Sequence, residues 1–198
     1  MRIYVESNFV LECVLEQGQS DACDEILSRA VRGETQLSVP AFCILEPFTT
    51  LQRRGAERNR LREDLERHLR EVRRTKSLAD DARPSDVSSV LLRAANEAEK
   101  RFREVRQKLL EHAAVLPLDV EALRRAEDFE RQYGLGLPDA IVLATVVVDL
   151  ERNPMPGCFV NRNTKDFDDP DIRKLLTDGG CRFAGSFSEG LAIARGHK

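Results

Sequence analysis

The sequence predicts an α/β fold, a three-layer α/β/α sandwich around a central parallel sheet, with a long charged helical hairpin as an insertion. Near both ends of the chain, short apolar runs with strand character alternate with helical patterns. This alternation is typical of a parallel sheet with helices on both faces. The middle of the chain is helical and strongly charged instead. With 198 residues, 41% of them hydrophobic and 33% charged, we expect a single domain over 1–198, elaborated at about 52–112.

The N-terminal part is predicted to contain a strand, two helices and a second strand. Their expected positions are 2–5, 8–17, 21–32 and 35–39. Ser7 belongs to the residue types that cap helix N-termini, and Gly33 to the type that ends helices. We therefore expect Ser7 to cap the first helix and Gly33 to stop the second.

The central segment is predicted to form two long helices. The first begins at 41, becomes heavily charged after Leu51 and runs to about 76, and the second runs from about 86 to 112. A loop rich in Asp and Ser, at 77–89, would let them pack as an antiparallel hairpin.

The charge of this central segment has two interpretations. Residues 52–112 contain 17 Lys and Arg against 12 Asp and Glu, a net charge of +5, while the remainder carries −8. Many arginines lie at helical spacing from glutamates, which favours a solvated hairpin held by ion pairs. The same surface would also suit a phosphate backbone, a protein partner or a second copy of the chain.

The C-terminal part returns to alternating elements. Strands are expected at 115–118, 158–160 and 181–184, and helices at 120–133, 138–150 and 170–177. Pro138 favours a helix start there, because proline is tolerated in a first helical turn. This succession completes the predicted parallel sheet.

Composition excludes several other classes of protein. The longest apolar run, 140–148, is too short to cross a bilayer, and the N-terminus lacks the pattern of a signal peptide, so we expect a cytoplasmic protein with no membrane partner. The five scattered cysteines are expected to be buried and reduced. No histidine lies near a cysteine cluster, which argues against structural zinc.

Four acids lie at the end of an apolar run or inside one. They are Glu6, Glu46, Asp139 and Asp166. Glu6 and Asp166 are expected to follow strands directly, and Glu46 and Asp139 to lie in the first turns of helices. A desolvated carboxylate is costly without a positive partner, and no Lys or Arg is interleaved closely with these runs. Because sites in such folds form at the carboxyl ends of the strands, we expect a shared acidic pocket there that holds Mg²⁺ or Mn²⁺.

Each acid also has a simpler interpretation. Glu6 and Asp139 would favour the N-terminus of the helix at which each lies. Asp166 would serve as a turn residue, with Asp168 or Asp169 as the ligand in its place. Glu46 is harder to explain in this way, because its neighbours are apolar.

Four segments, in order along the chain, resemble the four motifs of PIN domains. They are Tyr4-Val5-Glu6-Ser7-Asn8, then Val39-Pro40 through Leu45-Glu46, then Leu137-Pro138-Asp139-Ala140-Ile141-Val142-Leu143-Ala144, and finally Phe159-Val160-Asn161-Arg162-Asn163-Thr164-Lys165-Asp166-Phe167. The resemblance implies a PIN-like metal-dependent nuclease, most often acting on RNA and including toxins of toxin–antitoxin pairs. Carried over by position, it implies Glu6, Glu46, Asp139 and Asp166 as catalytic metal ligands.

The resemblance also implies supporting roles and partners. Ser7, Asn8 and Asn163 would orient the ligands or bind waters. RNA contacts are expected from Arg53, Arg54, Arg162 and Lys165. An antitoxin-like protein or a homodimer would be the protein partner.

Two departures from the family pattern leave an alternative open. The family usually has Asp where this chain has Glu6, and the charged segment at 52–112 is longer than in compact toxins. The alternative is a catalytically weak PIN-like module that binds nucleic acid or a protein. A phosphatase of the aspartyl-phosphate type is disfavoured, since the first strand ends in Glu-Ser-Asn without its nucleophile.

Overall fold

The computed structural model describes residues 1–78 and 86–196. The N-terminal part follows the predicted order of elements, which are β1 (Arg2–Val5), α1 (Ser7–Leu15), α2 (Ser20–Val31) and β2 (Gln36–Pro40). Ser7 is the first residue of α1 rather than its cap, because Glu6 occupies the capping position. Helix α2 ends two residues before Gly33, which has a φ of 72°.

Two long helices follow, as the sequence predicted. They are α3 (Ala41–Val72), which ends about four residues earlier than expected, and α4 (Asp86–His112). Most of the predicted loop at 77–89 lies outside the described residues, so the hairpin connection stays a prediction. Strand β3 (Ala113–Leu116) begins directly after α4, two residues earlier than expected, because Ala113 already pairs with Leu37 of β2.

The C-terminal part contains two helices that the sequence did not predict. Its elements are α5 (Val120–Tyr133), α6 (Leu137–Arg152), β4 (Gly157–Val160), α7 (Thr164–Phe167), α8 (Pro170–Asp178), β5 (Cys181–Ala184) and α9 (Phe187–Ala194). Helix α7 is a single turn of four residues, too short to show a period. Helix α9 begins at the cap Ser186, whose side chain accepts a hydrogen bond from the backbone N–H of Glu189.

The five strands form one parallel sheet in the order β3-β2-β1-β4-β5, which confirms the predicted fold class. The chain moves outward from β1 to β3 and then returns across the sheet to β4 on the other side of β1. Because parallel crossovers are right-handed, this reversal puts α1 and α2 on one face and α5 and α6 on the other. The carboxyl ends of β1 and β4 form the switch point, where such sheets place their sites.

The contacts divide the chain into two compact units. The sheet unit comprises Met1–Pro47 and Glu104–Lys198, and the helical unit comprises Phe48–Arg103. Within the helical unit, the rings of Phe48 on α3 and Phe102 on α4 stack with centroids 6.1 Å apart. The single-domain organisation of the chain stays a prediction.

The core of the sheet unit is formed by the strands and by α6. Strand β4 and the end of β1 are fully buried, and α6 is buried from Ala140 to Val148. All five cysteines are unpaired and buried, in agreement with the prediction from their scatter. Within the described part of the chain no single helix is long and apolar enough to cross a membrane. Helices α5 and α6 pass that test only as a pair, and they are bent by 118°.

Candidate active site

The sheet brings the predicted site residues to its carboxyl edge. Glu6 directly follows β1, and Asp139 lies in the first turn of α6, as expected. Two positions differ from the prediction. Glu46 lies in the second turn of α3, because that helix begins at Ala41, and Asp166 lies in α7 rather than directly after β4.

Glu6 divides its two carboxylate oxygens between two environments. Oε2 caps α1 by accepting a hydrogen bond of 2.7 Å from the backbone N–H of Asn8. Oε1 is buried and has no hydrogen-bond partner. The helix-capping interpretation of Glu6 therefore accounts for one oxygen and leaves the other without a hydrogen-bond partner.

The surroundings of Glu6 disfavour its negative charge. Burial, with a smaller contribution from the nearby charges of Glu46 and Asp139, raises the pKa of this carboxyl to about 8, although the hydrogen bonds from Asn8 act in the opposite direction. A buried carboxylate near like charges is stabilised by a bound cation. In the metal-free protein, these surroundings favour the protonated form of Glu6.

Ser7 connects Glu6 to the second acid. Its Oγ, which is buried, donates a short hydrogen bond to Oε2 of Glu46. This bond joins α1 to α3 and orients the Glu46 carboxylate. Ser7 therefore contacts one of the four acids, and its supporting role at a metal site stays a prediction.

Asn163 connects the third and fourth acids. Its Nδ2 donates to Oδ2 of Asp166 at 2.7 Å and to Oδ2 of Asp139 at 3.4 Å. One amide NH₂ has two hydrogens, so it is able to serve both carboxylates. Burial and the charge of Asp166 raise the pKa of Asp139, and the hydrogen bond from Asn163 partly offsets this.

The four acids therefore belong to one electrostatic cluster. Glu6 interacts with Glu46 and Asp139, and Asp139 interacts with Asp166 and Glu46. Within residues 1–78 and 86–196, however, no three or more His, Cys, Asp or Glu side chains are grouped closely enough to hold a metal ion. The donors are all oxygens, and Oε1 of Glu6 is unsatisfied, which is the chemistry that a hard cation such as Mg²⁺ takes, with waters completing its coordination shell.

The expected RNA contacts are in different environments. Arg53 and Arg54 belong to the helical unit, where Arg53 is exposed and forms a surface ion pair with Glu57 at 3.8 Å. Lys165 is exposed on α7, one residue before Asp166. Arg162 is part of a short ion pair with Glu12 instead, so its guanidinium is already engaged.

Two residues near the site were missed from the sequence. Glu12 is only 1% exposed and accepts the Arg162 ion pair, and Asn161 is 1% exposed and accepts a hydrogen bond from the backbone N–H of Asn163. Glu12 carried a usable signal, since it interrupts the apolar run from Phe9 to Leu15. Asn161 carried one too, because it follows the buried strand β4 directly.

Comparisons with known proteins agree with this architecture. A family model described as "PIN domain" matches residues 3–167 of the 198. The matched region begins in β1 and ends with α7, so it includes all four acids and the two asparagines that follow β4. No curated protein matches the chain.

Proposed function

Because this chain belongs to the PIN domain family, whose members are generally nucleases, we propose that it is a metal-dependent endoribonuclease. PIN domains generally use divalent metal ions and act on RNA. The proposed reaction is hydrolysis of an RNA phosphodiester bond with Mg²⁺ or Mn²⁺. The residues proposed to hold the ion are Glu6, Glu46, Asp139 and Asp166.

One observation supports this proposal most directly. The Oε1 atom of Glu6 is buried without a hydrogen-bond partner, and burial together with the charges of Glu46 and Asp139 raises the pKa of Glu6. A fold that needed Glu6 only as a helix cap would gain nothing from a second, unsatisfied oxygen in an acidic cluster. A cation would satisfy this oxygen and neutralise the repulsion at once.

The proposed site contains residues that bind the metal ion and residues that orient these ligands. A bound Mg²⁺ or Mn²⁺ supplies an activated water and stabilises negative charge on a phosphodiester. Ser7 orients Glu46, and Asn163 holds Asp139 and Asp166 in a fixed relation. Such supporting hydrogen bonds are typical of metal sites, whose ligands need fixed orientations.

Cellular context follows from the same proposal. The cytoplasm is the proposed location, and RNA is the proposed substrate. A toxin-type role would add an antitoxin-like protein partner, and a homodimer is the other proposed assembly. A neighbouring gene for a small antitoxin-like protein would support the toxin role.

Cleavage of RNA by the purified protein tests the nuclease proposal. We expect cleavage with Mn²⁺ and none in excess EDTA. Asp139→Asn should lower the rate by more than about 100-fold, since even the loss of a supporting residue around a metal costs about 10- to 100-fold. Glu127→Gln is the control, because it removes an exposed carboxylate on α5 away from the site. Equal activity of Asp139→Asn and the wild type would refute the proposal.

The alternative is a catalytically weak module that binds nucleic acid or a protein through the helical unit. Two observations favour it. Among the described residues no group of acids is already close enough to hold a metal, and the helical unit has 15 Lys and Arg against 10 Asp and Glu. Isothermal titration calorimetry separates the two, since the alternative expects no heat from Mn²⁺ at millimolar concentration and RNA binding without cleavage.

A further inference from the structure

We propose that Glu12 and Arg162 form a positioning pair that fixes the loop Asn161–Asn163, and that Arg162 is therefore not an RNA contact. The inference rests on the proposed function, because the loop supports the acids of the nuclease site. It assigns a role to a buried acid that none of the four motifs contains. It also replaces the expectation that Arg162 binds the phosphate backbone.

Glu12 is buried at a cost that its contacts offset. The residue is 1% exposed on α1, where an unpaired carboxylate would be strongly disfavoured. Its Oε1 is paired with Nη1 of Arg162, and its Oε2 accepts a 2.9 Å hydrogen bond from the backbone N–H of Gln19. Both oxygens are satisfied, and the partner of one of them is a residue 150 positions further along the chain.

The Glu12 side of the pair is attached to the scaffold. Gln19 lies in the turn between α1 and α2, and its Oε1 accepts a 2.7 Å hydrogen bond from the backbone N–H of Phe187 in α9. The position of Glu12 is thus defined by α1, by this turn and by the start of α9. A side chain anchored in this way is able to fix a loop.

The loop is held at each of its three residues. Asn161 donates from its backbone N–H to the carbonyl of Ala184 in β5 at 3.0 Å. Its Oδ1 accepts from the backbone N–H of Asn163 at 2.8 Å. Arg162, between them, is held by Glu12 from the side of α1.

Asn163 links the position of the loop to the orientation of the acids. Its amide lies within 2.7 Å of Asp166 and 3.4 Å of Asp139, so a rotation of the loop would break both contacts. Supporting groups around a metal site act through such orientation. Arg162 is accordingly a positioning residue that works through Asn163 and does not touch the substrate.

Glu12→Gln separates this role from phosphate binding. Glu12 is buried, so it cannot contact RNA, and Arg162 is 44% exposed, so it stays hydrated after the change. If the two residues form a positioning pair, Glu12→Gln and Arg162→Ala should each lower kcat by about 10- to 100-fold, with little change in KM. The double variant should lose no more than either single variant, because both remove the same interaction.

A second readout does not depend on RNA cleavage. We expect the side-chain NH₂ signals of Asn163, in ¹⁵N NMR spectra of the full chain, to shift in both single variants. Arg131→Ala is the control, since it removes an exposed ion pair with Asp128 on α5. If Arg162→Ala does not fold, because Glu12 is left buried and unpaired, the double variant and Glu12→Gln carry the test.

Two outcomes would overturn the proposal. In one, Glu12→Gln behaves as the wild type, while Arg162→Ala weakens RNA binding and lowers the slope of log K against log salt by about 0.7. In the other, the Asn163 signals are unchanged in every folded variant. A wild type that cleaves no RNA would refute the proposed function alone, because the Asn163 signals would still decide on the pair.

Discussion

Replacing Glu6 with Gln should make the metal-free protein more stable at neutral and alkaline pH. Burial raises the pKa of Glu6 from 4.5 to about 8 in the folded protein, while an unfolded chain restores the ordinary value. The folded state therefore binds this proton more tightly than the unfolded state does. This tighter proton binding stabilises the folded state fully below pH 4.5, and the stabilisation is lost as the pH rises towards 8. The glutamine side chain of the variant does not ionise, so the variant avoids this loss.

The size of this effect follows from the pKa shift. Each pH unit between the two pKa values is worth about 1.4 kcal/mol. At pH 7 the variant should gain about 3 kcal/mol in free energy of unfolding over the wild type, and above pH 8 up to about 5 kcal/mol. These are upper bounds, since the new amide needs acceptors of its own, for which the neighbouring carboxylates of Glu46 and Asp139 are available.

Urea unfolding in EDTA at pH 5, 7 and 8.5 measures this difference. The gain of Glu6→Gln over the wild type should increase with pH, while Glu127→Gln, an exposed acid on α5, should differ little from the wild type at every pH. A gain for Glu6→Gln that is the same at all three pH values would refute the reasoning. It would mean that Glu6 titrates alike in the folded and unfolded chains.

Two further predictions concern the support of the site and the core beneath it. Asn163→Ala should raise the pKa of Asp139 further, because the hydrogen bond from Asn163 lowers this pKa in the wild type. A ¹³C NMR titration of the Asp139 carboxyl measures the change. An unchanged pKa would contradict the contact between the two side chains. Gly190→Ala should lower the free energy of unfolding by about 1–3 kcal/mol, since its new Cβ would lie 2.5 Å from Cγ2 of Val160. Gly18→Ala is the control in the same urea assay, because no atom lies within 4 Å of its added Cβ. Equal effects of the two substitutions would contradict the close packing of Gly190 against Val160.

Most of the fold was predictable because its signals are local. The sequence shows the apolar runs of β1, β4 and β5 and the helical periodicity of α4 and α5 directly. The bounds predicted for these five elements agree with the structure within one residue. The helices α7 and α9 were missed because one or two turns show little periodicity. Strand β3 was displaced by two residues because its start is defined by pairing with Leu37 of β2, a partner far away in the chain.

The four candidate acids were recognisable from the sequence, whereas their contacts were not, and their role as metal ligands stays a prediction. The four acids stood out because each interrupts or ends an apolar run, and the structure brings them into one cluster. The capping position was assigned wrongly to Ser7, since Glu is an uncommon cap and the choice depends on the backbone of Glu6. The pairing of Glu12 with Arg162 depends on tertiary packing between α1 and the loop after β4, and no local spacing predicts it.

The central position of β1 and β4 in the sheet has a consequence for how the protein is made. Residues 2–5 and 157–160 are neighbours in the sheet, yet 151 of the 198 residues lie between these two strands in the sequence. Contacts of such sequence separation form late, because the intervening chain must first be closed into a loop. The acids at 6 and 166 are therefore apart while the protein is still emerging from the ribosome. Under the proposed function, a nascent chain would therefore be unable to cleave RNA until β4 has paired with β1.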